Sequence, residues 1–215
     1  MKSIPGRPGR IGFTFPMLLG TFERELSGVL EVALRIPFDK VVNVGAAEGY
    51  YAIGLALRLP TAHIVAFDLD PECQEFLSEM ARVNHLTERV SVLGMCEPRD
   101  LEAGLSGGER CLIVCDVEGY EHLLIDPTHV PSLHRSWILV ELHEQAAPGI
   151  GETLEHRFAG SHRSLRIYQE PRTARDYPLN PLLKRLPTRS WQPFLNEQRA
   201  YRMSWLWLEP SGRHH

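Results

Sequence analysis

The sequence predicts an α/β fold, a Rossmann-like and mostly parallel sheet with helices on both faces. Three observations carry this. The stretch VVNVGAAEGYYAIGLALRLP, Val41 to Pro60, is an apolar β-branched run, a glycine turn and a helix-period segment stopped by proline. HIVAFDLDP, His63 to Pro71, is a second strand that ends in acids. Beyond it, short apolar runs alternate with amphipathic segments at the spacing of βα units, whose crossovers are right-handed.

Taken in order, residues 1–16 are broken by Gly and Pro and form an irregular arm; residues 17–215 form a single domain. The run MLLGTFERELSGVLEVALRI places Phe22, Leu26, Val29, Leu30, Ala33 and Leu34 on one helical face, with Thr21 as N-cap and Glu23 in the first turn. After the first two strands, PECQEFLSEMARVNHL is an amphipathic helix opened by Pro71 and capped by Asp70. RVSVLG is a third strand, and EPRDLEAGLSGGE a short helix and glycine-rich loop. Cys111 to Cys115 is a fourth, buried strand ending at Asp116. HLLIDPTHVPSLHRS is a helix and connector, and WILVELHE a fifth strand ending in Glu141 to Glu144. A helix over ETLEHRFAG and strands over SLRIYQE and RMSWLWLEP complete the chain.

Residues 171–199 stand apart as a long, proline-rich connection between the last two strands, a length that suits either a functional lid or a solvated loop anchored by its two aromatics. It carries Arg172, Arg175, Lys184, Arg185, Arg189 and Arg199 against only Asp176 and Glu197, with Trp191 and Phe194 among them. That excess of positive charge suits an acidic or phosphorylated acceptor.

Composition narrows the function. The net charge of −4 gives no basic footprint for nucleic acid. No apolar run approaches the roughly 20 residues that span a bilayer, and the basic N-terminus lacks the apolar core of a secretory signal. Cys73, Cys96, Cys111 and Cys115 form no CxxC pair and sit in apolar segments, as buried free thiols of a cytoplasmic protein do. Oligomeric state is not legible.

The glycine turn and the acid after the second strand predict an adenosine-type cofactor. A dinucleotide turn has glycine where this chain has Ala47, and Glu48 puts a carboxylate at the helix mouth, where it would repel a pyrophosphate. A cofactor with a sulfonium and an ammonium suits that carboxylate better, which favours S-adenosylmethionine, with S-adenosylhomocysteine as product, over NAD. Glu48 is equally suited to pairing with the helix dipole.

The turn NVGAAEGYYAIGLA resembles the first motif of class I S-adenosylmethionine-dependent methyltransferases. LGTFEREL (Leu19 to Leu26), AFDLDP (Ala66 to Pro71), DVEGYE (Asp116 to Glu121) and LVELHE (Leu139 to Glu144) together resemble, more narrowly, the FkbM family, over roughly residues 19–144. The family commonly has FEP where this chain has FDLDP. The resemblance implies a seven-stranded sheet of order 3-2-1-4-5-7-6 with the last strand antiparallel, and O-methylation of a hydroxyl on a small molecule or glycan. A catalytically silent module that binds the cofactor, and an NAD-dependent enzyme, are the alternatives.

The cofactor-binding candidates are Glu23, Asn43, Gly45, Ala46, Glu48, Gly49, Asp68, Met95, Cys96 and Asp116. The turn would face the methionine portion, Asp68 the ribose hydroxyls with Asp70, two residues on and on the same strand face, as its competitor, and the loop of Met95 and Cys96 the adenine. The catalytic candidates are His143, Asp116 and Glu141, at the carboxyl ends of neighbouring strands where ligand crevices of such sheets lie. Glu118 should join them, and Glu121 suits a helix start, where it would complement the dipole. His143 titrates near neutrality and suits a base. The same acids could hold Mg²⁺, but they could equally pair with the lid arginines, and a metal is not favoured.

Overall fold

Strand β1, Lys40–Val44, is an interior strand of the sheet because it is buried on both faces: all but its first residue are buried. The computed structural model describes residues 16–172, 177, 180, 185, 197, 199 and 201–212. β1 pairs in parallel with β2 (His63–Phe67) on one side and β4 (Cys111–Cys115) on the other. β3 (Val90–Leu93) lies outside β2, and β5 (Trp137–Leu142) outside β4, both parallel. β7 (Ser204–Pro210) inserts antiparallel between β5 and β6 (His162–Tyr168). The seven strands run β3-β2-β1-β4-β5-β7-β6, as expected.

β4 and β5 are buried at every position, which continuous apolar runs allow only when helices cover both faces. Helices α1 (Ser27–Ala33), α2 (Tyr50–Arg58) and α3 (Pro71–Val83) cover one face and pack on Val41, Val114, Leu139 and Trp205. Helices α4 (Pro98–Leu105), α5 (Glu121–Leu124) and α6 (Ile150–Phe158) cover the other and pack on Val42, Val44, Ile113 and Val140. Among the described residues no helix is long and apolar enough to cross a membrane.

Two local expectations hold. Asp70 caps α3 by accepting from the Glu72 N–H at 2.9 Å, with Pro71 at the first helical position. The four cysteines are free and buried.

The first helix is a correction. It does not start behind Thr21, whose hydroxyl instead donates to the Pro16 carbonyl at 3.4 Å. Glu23 takes a left-handed conformation, φ 46° and ψ 46°, and a 3₁₀ turn, Arg24–Leu26, leads into α1 only at Ser27. Glu23 is therefore not a first-turn acid facing a helix dipole. Its N–H reaches Glu197 at 3.1 Å and its carboxylate turns inward, a pull from 174 positions away that local periodicity does not carry.

The expected arm, residues 1–16, lies outside the described residues except for Pro16. Of the expected lid, Pro171, Arg172, Tyr177, Asn180, Arg185, Glu197 and Arg199 are described; Arg175, Lys184, Arg189, Trp191 and Phe194 lie outside.

Candidate functional site

The sheet changes direction between β1 and β4, and the carboxyl ends of those strands open onto a crevice there. The turn after β1 is fixed from two sides. The N–H groups of Gly45 and Ala46 both donate to the Phe67 carbonyl at 2.9 Å, and Asp116 N–H donates to Val44 O at 2.9 Å. Gly45 has φ 73°, and a Cβ there would lie 1.6 Å from the Asp116 carbonyl oxygen. Only glycine lets β1 and β4 approach this closely. Ala47 also has positive φ, 45°, and is held by donating its N–H to Asp68 Oδ2 at 2.7 Å.

A cavity of about 350 Å³ sits over these ends. Of the predicted residues, Gly45, Asp68, Met95, Cys96 and Asp116 line it. Leu69, Val117, Glu118 and Tyr120 are also part of the wall; the sequence offered no signal for Leu69, Val117 and Tyr120 beyond their adjacency to motif acids. Asp68 accepts from Ala47 N–H through Oδ2 and from Asp70 N–H through Oδ1, at 2.7 and 2.9 Å. Each oxygen keeps a lone pair for a ligand. Cys96 is a packing residue: burial pushes its thiol up to about 12.

The other predicted cofactor residues do not line this cavity. Asn43 is buried in the sheet and donates to Val114 O at 3.2 Å, while its Oδ1 has no hydrogen-bond partner among the described residues. Ala46 packs in the core. Gly49, φ 82°, turns the chain into α2, and a Cβ there would meet Leu77 at 2.2 Å. Glu48 is half-buried just before α2.

Glu23 belongs to a second group, a buried ion-pair network. Arg199 binds Glu23 and Glu141 and lies 3.4 Å from Glu197. Arg172 grips Glu25 with both terminal nitrogens, at 2.9 and 2.7 Å, and reaches Glu197 at 2.8 Å. Tyr51 donates its hydroxyl to Glu23. Four carboxylates thus face two guanidiniums away from water. The imbalance is met by protons: burial, opposed by Arg199, raises Glu23 to about 7, and burial with the charges of Asp116 and Glu23 raises Glu141 to about 9. Of the six basic residues expected on the lid, Arg172 and Arg199 are paired inside the molecule and are not offered to an acidic acceptor.

Glu141 is likewise corrected from a partner of His143 to a partner of Arg199. The expected meeting of Asp116, Glu118 and His143 does occur. His143, just past β5, lies with Nε2 3.5 Å from Asp116 Oδ1 and 3.3 Å from Glu118 Oε2. Its Nδ1 lies 2.6 Å from Glu121 Oε1. Glu121 is fully buried and also accepts from Val117 and Gly119 N–H groups, so it orients the imidazole rather than merely facing a dipole. An ionised acceptor at Nδ1 places the proton there and leaves Nε2 toward the cavity acids. Burial lowers the pKa of His143, but the bond to Glu121 and the charges of Glu121, Asp116 and Glu118 outweigh it and hold the imidazole above its ordinary value. Burial raises Asp116 to about 6, with His143 and Arg199 pulling it down and Glu118 and Glu121 pushing it up.

No family model and no curated protein matches the chain. Solved structures do. Precorrin-6y C5,15-methyltransferase from Geobacter metallireducens is similar with a TM-score of 0.54 at 15% identity, over 87% of this chain and 88% of that one. The O-methyltransferase TomG from Streptomyces achromogenes, in complex with S-adenosylmethionine, is similar with a TM-score of 0.53 at 11% identity, over 95% and 91%. At these identities the likeness is one of fold: a Rossmann-like methyltransferase fold.

Proposed function

We propose that the protein is an S-adenosylmethionine-dependent methyltransferase of FkbM type, acting on a hydroxyl of a small molecule or glycan. The observation that carries this is the cavity at the strand switch, walled by Gly45, Asp68 and Asp116 with His143 beside it. The residues fit the cofactor. Gly45 lines the cavity where β1 meets β4, Asp68 stands where ribose hydroxyls would be bound, and the loop of Met95 and Cys96 supplies an apolar wall for adenine. The acids around Asp116 suit a cation and not a pyrophosphate.

When bound, the cofactor supplies a methyl group activated by a sulfonium. The chain's part is to hold the acceptor in line with it and to remove the hydroxyl proton; positioning of this kind contributes up to roughly 7–11 kcal/mol in favourable cases. Nε2 of His143 receives that proton, and Glu121 steadies the imidazolium that forms. Asp116 faces Nε2 from the cavity side. Glu141 acts through Arg199 as a positioning residue.

Calorimetric titration with S-adenosylhomocysteine and with NAD tests the cofactor. Micromolar binding of the first and none of the second is expected; stabilisation by NAD alone would overturn the reading. Transfer of labelled methyl to a panel of hydroxylated acceptors, lost in His143→Ala, separates an enzyme from a silent binding module.

A further inference from the structure

The opposite pole of the sheet from the crevice holds another cavity, of about 400 Å³. It lies where β4, β5 and β6 begin and β7 ends. Arg110 directly precedes β4, Trp137 is the first residue of β5, Arg163 the second of β6 and Pro210 the last of β7. β4 has five residues and β5 six, so at roughly 3.3 Å per residue the cavity lies about 16–20 Å from Asp116 and His143. The methyl transfer does not reach it.

Three arginines from distant parts of the chain meet there. Arg35 follows the last turn of α1 and donates its N–H to Val32 O at 3.1 Å. Arg110 is fixed by Asp39, whose carboxylate accepts the Arg110 N–H at 3.2 Å and whose own N–H donates to Arg110 O at 3.1 Å. Arg163 stands opposite Glu209 in the β6–β7 ladder. Among the described residues no carboxylate forms an ion pair with any of the three side chains. Glu209 is the one described acid of the wall, so three positive charges face one negative in a chain whose net charge is −4. Guanidiniums stay charged at any physiological pH, and their fork matches the oxygens of a phosphate. The remaining wall is firm and apolar. Trp137 is buried and braced edge-on by Phe38, ring centres 5.3 Å apart, and Pro37 and Pro210 flank it.

We infer that Arg35, Arg110 and Arg163 bind the phosphate of a phosphorylated small molecule whose body lies against Trp137, Pro37 and Pro210. A phosphomonoester carries close to two negative charges at pH 7, which balances the surplus of the wall; a carboxylate carries one and leaves it unbalanced. The size fits a small molecule, whose pockets span roughly 300–1,000 Å³. One cluster of three arginines does not track a nucleic-acid backbone, which takes a run of such contacts. None of these residues lines the crevice, so the site is independent of the methyltransferase reading.

The test is titration calorimetry of the full-length protein with phenyl phosphate and with inorganic phosphate, at low ionic strength in a phosphate-free buffer. Phenyl phosphate should bind one site with Kd at or below about 1 mM, and inorganic phosphate more weakly because it leaves the apolar wall empty. Arg110→Gln and Arg163→Gln should each weaken phenyl phosphate about tenfold, the loss expected for a hydrogen bond to a charged group. Both side chains are exposed, so the variants keep the fold, with melting temperature and S-adenosylhomocysteine affinity as the check. Absence of phenyl phosphate binding at 10 mM, or binding undiminished in both variants, would overturn the site. Inorganic phosphate binding as tightly as phenyl phosphate would overturn the choice of an ester over the free ion. Capture by phosphatidic acid vesicles without binding of phenyl phosphate would overturn the pocket in favour of a membrane-facing patch. Lost S-adenosylhomocysteine binding with phenyl phosphate retained in the unmodified chain rejects the transferase and supports this site.

Discussion

Replacing Arg199 by methionine should cost far more than breaking a surface ion pair. Arg199 binds Glu23 and Glu141 and approaches Glu197, and these three carboxylates are at most 4% exposed. Its guanidinium also stacks 5.6 Å from the Phe22 ring centre and 5.4 Å from that of Trp205. Methionine keeps much of the apolar stem, so the loss isolates the charge. Four buried carboxylates would then face Arg172 alone. Removing one partner of a buried pair costs about 3–5 kcal/mol, against about 0–1 for an exposed one. In a chain of this size each kcal/mol moves Tm by roughly 2–4 °C, so a fall of about 6–20 °C is expected. Urea unfolding at pH 8 measures it, with the m-value checked for two-state behaviour. At pH 5.5 the cost should shrink, because without Arg199 the carboxyls of Glu23 and Glu141 rise further above their ordinary range and are neutral there. Adding Glu23→Gln and Glu141→Gln should restore most of the loss at pH 8. A loss below about 1 kcal/mol at pH 8, or an equal loss at both pH values, would refute the account of the network as a buried charge balance.

Three other outcomes are expected. Folded Glu23, raised to about 7, keeps a proton that the unfolded chain releases near its ordinary value, so its contribution is full below about 4.5 and is lost as pH rises through 7; the slope reaches at most about 1.4 kcal/mol per pH unit. Glu23→Gln should flatten the decline of unfolding free energy between pH 5 and 7, and an unchanged slope would count against the shift. Gly45→Ala forces a Cβ to 1.6 Å from the Asp116 carbonyl at φ 73°, for a cost of about 2–5 kcal/mol from strain and overpacking together. Thermal melts by circular dichroism read it; near-wild-type stability is the outcome that fails the prediction. Asp68→Asn removes the charge and one acceptor, and should weaken S-adenosylhomocysteine about tenfold, or about 1.4 kcal/mol, by calorimetry; unchanged affinity would reduce Asp68 to a strap for the Ala47 turn.

The sheet was legible because its strands are short apolar runs between turn residues and because parallel strands buried on both faces need no alternation. Gly45 was legible for the same kind of reason: a turn between strand and helix announces its own backbone requirement. Asp68, Asp116 and His143 could be placed at strand ends from the fold alone. Glu23 could not. Apolar spacing on both sides of it described one continuous helix, and its left-handed backbone answers to Glu197 and Arg199, which approach from the far end of the chain. Glu121 misled in the same way, since an acid at a helix start has a sufficient local explanation and its bond to His143 spans 22 positions. Arg172 and Arg199 looked like part of a surface charge excess because sequence shows the sign of a residue and not the direction it faces.

The insertion of β7 between β5 and β6 has a consequence for how the molecule is made. The described walls of the cavity come from residues between Val44 and Leu124, and the imidazole from position 143. The guanidiniums that neutralise Glu23, Glu25 and Glu141 arrive only at positions 172 and 199, the second just ahead of β7. A growing chain would therefore shape its ligand crevice first and carry an unbalanced knot of acids behind it until nearly the last strand. Synthesis from the N-terminus makes docking of that strand the step that commits the domain, because only then does burying the N-terminal acids become favourable.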